Sequence, residues 1–112
     1  MENNLKYIVY CTTCLVNNNI YVGVHRTSLN HFDGYIGNGV YINQPSTYEK
    51  SQTKFKHAVK KYGPKNFKRV ILASFDTEEE AYELEEQIVN KKFIARLDVY
   101  NMCLGGKLGL PN

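Results

Sequence analysis

From Tyr7 to Thr13 the chain reads YIVYCTT, a β-branched and aromatic run, and after Asn17, Asn18 and Asn19 the same pattern resumes as IYVGVH from Ile20 to His25. Two such runs around residues that tolerate left-handed geometry predict a β-hairpin. On the second run Ile20, Val22 and Val24 share the face the pattern assigns to the core, and Tyr21, Gly23 and His25 share the other. From Arg26 to Lys50, Gly34, Gly37, Gly39 and Pro45 among Asn and Ser residues predict a long ordered loop with one short strand. From about Ser51 to Tyr62, Phe55, Ala58, Val59 and Tyr62 recur at helical spacing, and Gly63-Pro64 stops the helix. Lys54, His57, Lys60 and Lys61 fill its remaining arc and concentrate positive charge there. FKRVILASF, Phe67 to Phe75, predicts a third strand. Thr77 with Glu80 three residues later predicts the capped start of a second helix reaching about Asn90. The glycine-rich tail DVYNMCLGGKLGLPN opens on a strand-like piece and closes the chain through tight turns. Strand, strand, helix, strand and helix imply a small α+β domain whose sheet packs against helices.

The length of 112 residues fits one domain over 1–112. With 43% hydrophobic and 22% charged residues and no biased tract, a packed globule is expected rather than a disordered segment. No apolar stretch approaches the roughly 18 residues of a membrane span. The start MENNLKYIVYC lacks the order of a secretory signal. The expectation is a soluble intracellular protein of cytoplasm or nucleus, with no membrane partner. Three cysteines, Cys11, Cys14 and Cys103, make an odd set that fits reduced thiols rather than a disulfide framework. The net charge of +3 permits contact with phosphates without identifying a nucleic-acid partner.

Chemistry enters with the second helix. Ala81, Leu84, Ile88 and Val89 define its apolar arc, and Glu85 falls inside that arc, while Glu79, Glu83 and Glu86 lie on the solvated side. A carboxylate aimed at a core must pair with a base, coordinate a metal or shift its pKa. Gly23, inside a strand, marks a bulge, tight packing or the close approach of a ligand. Tyr10 shares its face with Ile8 and Thr12, and whether that face meets the Tyr21 face depends on a register the sequence leaves open. Cys11-Thr-Thr-Cys14, with Cys103 or His25, offers a zinc site, although one CxxC pair at a strand end is more often incidental.

YIVY at Tyr7 to Tyr10 and YVG at Tyr21 to Gly23 resemble the two motifs that name the GIY-YIG nucleases, with Tyr10 and Tyr21 eleven residues apart. Ile8 and Val9 replace the Gly and Ile of the first motif. The resemblance continues through a basic helix ending in Tyr-Gly, a strand, a glutamate-bearing helix, and Tyr100-Asn101 followed by Gly105 and Gly106, and so spans nearly the whole chain. It implies a small three-stranded antiparallel sheet flanked by helices and a metal-dependent endonuclease that hydrolyses DNA phosphodiester bonds. Glu85 matches the single metal-binding glutamate, a hard ligand for one Mg²⁺ or Mn²⁺ ion that keeps most of its waters. Tyr10 and Tyr21 match the motif tyrosines that orient or deprotonate the attacking water, and Asn101 matches an asparagine that shapes the site and meets DNA.

The family places an arginine in a helix after the second motif, where this chain has the loop RTSLNHFDGYIGNG. The remaining cation is Arg26, with His25 beside it on the Tyr21 face, and both are assigned to catalysis, Arg26 to charge on phosphate and His25 to a proton relay. Lys54, Lys60 and Lys61 are expected to hold the DNA backbone, and Tyr35, in a second YIG, to reach the site from the loop. Two rival readings follow: a catalytically inactive DNA-binding or interaction module that kept the fold, and a small zinc-binding domain. Target site, biological role and oligomeric state are not encoded in these patterns.

Overall fold

The computed structural model describes residues 5–50 and 52–107, so Ser51 and the last residues of the tail lie outside it. The elements are β1 (Leu5–Cys14), β2 (Ile20–Ser28), β3 (Tyr35–Gly37), β4 (Val40–Tyr41), α1 (Lys54–Tyr62), β5 (Phe67–Phe75), α2 (Glu78–Ile88) and α3 (Lys91–Ile94). The main sheet is antiparallel in the order β2-β1-β5, so the architecture is the expected α+β one.

Helix boundaries follow local chemistry. The Thr53 side chain accepts from the Lys56 amide and starts α1 at Lys54, and Gly63, at φ 88°, ends it. Thr77 caps α2 in the same way. α2 stops at Ile88 because Asn90 caps α3, its Oδ1 accepting from Phe93 N at 2.9 Å. The hairpin turn carries Asn18 at φ 64°.

Strand alternation sends the two faces of the sheet into two cores. Cys14, Phe55, Ala58, Val59 and Phe67 pack on the α1 side, with Tyr21 against them. Val9, Val22, Ala81, Val89, Phe93 and Ile94 pack on the α2 and α3 side. The sequence assigned only the Ile20-Val22-Val24 face to a core; Tyr21's face is covered as well, because α1 crosses it with Phe55 4.9 Å from the Tyr21 ring. Cys11 and Cys14, three apart on one strand, therefore join different cores, and Cys103 is exposed. Among the described residues no group of three metal-binding side chains forms, which removes the zinc reading.

The long loop holds a two-stranded hairpin, β3 with β4, rather than one short strand. It is tied down by Thr12 Oγ1, which donates to Ile36 O at 2.6 Å, and by Arg69 Nη1, which donates to Tyr35 O at 2.9 Å. The tail runs along the free edge of β2: Ile20 N donates to Asp98 O at 2.9 Å and Tyr100 N to Ile20 O at 2.8 Å. Among the described residues no helix is long and apolar enough to cross a membrane.

Candidate active site

The tail stays on the β2 edge as far as Val22. There the Asn101 side chain takes both backbone groups, its Oδ1 accepting from Val22 N at 3.0 Å and its Nδ2 donating to Val22 O at 2.8 Å. Gly23 and Val24, the next residues of β2, line a cleft of about 460 Å³ whose walls include Tyr10, Tyr21, Tyr35, Tyr82, Glu85 and Asn101. The expected DNA contact Asn101 lines this cleft, but its amide is engaged in clamping the tail to β2.

The register that the sequence left open places Tyr10 directly opposite Gly23 and on its face. A Cβ at position 23 would lie 2.5 Å from the Tyr10 hydroxyl, so the glycine exists to let that ring cross the neighbouring strand. The Tyr21 ring centroid lies 6.4 Å away, and the Tyr35 ring meets Tyr10 edge-on at 6.1 Å. Burial, with Tyr35 and Tyr21 adding to it, holds the Tyr10 phenol well above its ordinary range. Burial also pushes Tyr21 up to about 12, against an opposing hydrogen bond from Asn38. Asn38 is fixed by the α1 cap, Thr53 Oγ1 donating to its Oδ1 at 2.8 Å.

Across the cleft, Glu85 emerges from α2. Its Oε1 accepts from Gly106 N at 3.1 Å, and it belongs to none of the ion pairs among the described residues. Burial raises its carboxyl pKa, and the Gly106 amide opposes the rise. The tail reaches it because Gly105 lies against α2, where a Cβ would be 2.5 Å from the Glu85 carbonyl oxygen. A half-buried carboxylate with one neutral donor and no basic partner suits a hard divalent cation that brings its own waters.

Two assigned residues stand elsewhere. Arg26 follows His25 on a strand that runs to Ser28, so it projects from the opposite face, where its guanidinium sits 5.8 Å from the Tyr7 ring centroid. It is exposed and lines no part of the cleft. His25 lies on the Tyr21 face but does not line the cleft either. Its Nε2 meets Asp33 Oδ2 at 2.7 Å and its ring stacks on Tyr35 at 3.9 Å. Tyr35 lines the cleft from β3, inside the segment read as a loop with one short strand.

On α1, Lys54, His57 and Lys61 line a second cavity of about 490 Å³, which shares Thr53 and Tyr100 with the cleft. Lys60 is exposed outside it. None of these lysines has an ion-pair partner among the described residues. The sequence reading missed Tyr82, which its spacing three before Glu85 could have revealed. It also missed Asn38, Asp33 and Arg69, which only long-range folding brings near.

The family model of the GIY-YIG catalytic domain matches residues 6–93, from β1 through most of α3. Three proteins of Enterobacteria phage T4 are similar. "Putative endonuclease segD" is 42% identical over 92% of this chain and 40% of its own length. "Putative endonuclease segC" is 39% identical over 99% of this chain and 49% of its own. "Endonuclease segA" is 37% identical over 96% and 42%. The chain thus spans under half the length of these relatives. No solved structure matches it.

Proposed function

The chain belongs to the GIY-YIG catalytic-domain family, and from that membership and its cleft we propose that it hydrolyses DNA phosphodiester bonds with one divalent cation, Mg²⁺ or Mn²⁺, bound at Glu85. The observation that carries the reading is a half-buried Glu85, without an ion-pair partner among the described residues, facing Tyr10 and Tyr21 across one cleft. A divalent ion bound at Glu85 supplies positive charge that lowers the pKa of nearby water and offsets charge gained by the phosphate.

The protein's own groups do the rest. Tyr10, held well up by burial, remains a phenol and donates a hydrogen bond. Tyr21, whose oxygen takes the Asn38 hydrogen bond, is the phenol placed to orient the attacking water, accepting the water proton as it passes its own to solvent. Asn101 keeps the tail on β2, and Gly106 steadies the carboxylate. The DNA backbone leaves the cleft past Thr53 and Tyr100 and follows Lys54, His57 and Lys61, which supply salt-dependent affinity without reading bases. The names of the phage relatives, which call them endonucleases, agree with this reading.

The test is nicking of supercoiled plasmid with Mg²⁺ or Mn²⁺. Wild type cuts, and Glu85→Ala loses at least about 1000-fold in rate. Equal cutting by the two proteins contradicts the assignment, and a domain that binds DNA without cutting it is the inactive module.

A further inference from the structure

A phosphate undergoing hydrolysis gains charge on its non-bridging oxygens, and the site must aim donors at them. Neither Arg26 nor Arg69 lines the cleft. Among the described residues the cation that does is Lys107, whose Nζ is 2.9 Å from Glu78 Oε1. The donors facing the cleft are therefore largely phenols, and Tyr35 is held unlike the others.

Its ring is sandwiched into a polar network. His25 stacks on it at 3.9 Å with an interplanar angle of 17°. Asp33 accepts from His25 Nε2 at 2.7 Å, from Thr27 Oγ1 at 2.9 Å, from Tyr35 N at 3.0 Å and from Arg69 Nη1 at 3.2 Å. The Arg69 side chain, only 4% exposed, also donates to Tyr35 O at 2.9 Å. The ring is thereby fixed from its backbone and from its face. Its hydroxyl oxygen accepts from Gly39 N at 3.0 Å and also from the Tyr10 phenol, whose pKa that bond raises as it does for a donor, so the Tyr35 phenolic proton is left to be donated. So many part-buried polar groups converging on one tyrosine of β3 exceed what packing requires.

We propose that the Tyr35 hydroxyl is the hydrogen-bond donor to the phosphate oxygen on which charge develops, and that His25, Asp33 and Arg69 position its ring for that task. His25 is on this account a positioning residue and not a proton relay. The inference rests on the nuclease reading above. In the step, the water oxygen bonds to phosphorus as the phosphorus–oxygen ester bond breaks. The water proton passes to the Tyr21 oxygen as Tyr21 gives its own phenolic proton to solvent, the leaving oxygen takes a proton from solvent, and Tyr35 keeps its proton throughout.

The experiment compares nicking rates of wild type, Tyr35→Phe, Asp33→Asn and the double variant. Thermal melting and DNA affinity in EDTA by fluorescence anisotropy are measured for each. Tyr35→Phe should lose about 100-fold in rate, with affinity unchanged. Asp33→Asn should lose about tenfold in the wild-type background and nothing more once Tyr35 is Phe, a non-additivity that a merely structural Asp33 would not show. Full-rate cutting by Tyr35→Phe, with Glu85→Ala inactive, overturns this inference alone. Equal losses from Asp33→Asn in both backgrounds overturn the positioning role. A wild-type chain that cuts no DNA overturns the nuclease reading and this inference with it.

Discussion

The cleft has a tyrosine wall and a carboxylate wall, and they differ in how fully their polar groups are satisfied. Tyr21 feels a hydrogen bond from Asn38, and Tyr35 is held through Asp33, His25, Arg69 and Gly39. Tyr10 lies 1% exposed over Gly23. Glu85, opposite, has one backbone amide and no basic partner among the described residues. One wall is pre-organised before any substrate arrives; the other is left short of positive charge. Such a division suits a catalyst whose hydrogen-bond donors must not move and whose missing charge arrives with a ligand.

Each wall also rests on one glycine, and the two should respond differently. A Cβ at Gly105 meets the Glu85 backbone at 2.5 Å, which cannot swing aside, whereas a Cβ at Gly23 meets the Tyr10 phenol at the same distance. Gly105→Ala should therefore cost about 3 kcal/mol in chemical denaturation. Gly23→Ala should cost less stability while lowering the nicking rate out of proportion, because Tyr10 must turn. If the stability losses came in the reverse order, the contrast between the walls would be misplaced.

Next in size is Asp33. Burial alone would raise its pKa, but hydrogen bonds from His25, Tyr35 N and Thr27 hold it at about 2. A carboxyl held below its unfolded value stabilises the fold above that value and loses the contribution as pH falls through the folded one. Asp33→Asn should cost about 2 kcal/mol at pH 7, and the gap to wild type should begin to narrow below about pH 4 and close only as pH falls through about 2. A gap independent of pH would detach Asp33 from the network.

The smallest effects belong to the α1 groove. Lys54→Ala and Lys61→Ala should each reduce the slope of log affinity against log salt by about 1. Lys60→Ala, outside the groove, and Arg26→Ala, on the far face, should leave it unchanged. An equal change from Lys60→Ala would show a diffuse electrostatic surface rather than a track.

Much of the fold was legible because it is written locally. Apolar spacing placed both helices and Thr77 the start of the second, while the Thr53 cap of the first went unread, and the odd placement of Glu85 on an apolar arc named the carboxylate wall. The tyrosine wall was legible only in part. Pairing of Tyr10 with Gly23 depends on a register that periodicity does not contain, and the network around Tyr35 joins residues from β2, the loop and β5. Arg26 lies away from the cleft for a simpler reason. The strand continues past His25 to Ser28, so alternation carries Arg26 to the other face.

The central claim, a divalent cation at Glu85, is tested most directly by thermal melting of wild type and Glu85→Gln across a Mg²⁺ or Mn²⁺ titration, independently of cleavage. Burial holds the Glu85 pKa above its unfolded value, so its charge at neutral pH opposes folding. The account predicts that metal-free Glu85→Gln melts above metal-free wild type. It also predicts that metal at ten times Kd raises wild type by about 6 °C and leaves the variant where it was. An equal metal-induced rise in both proteins, or no rise in wild type, would contradict it.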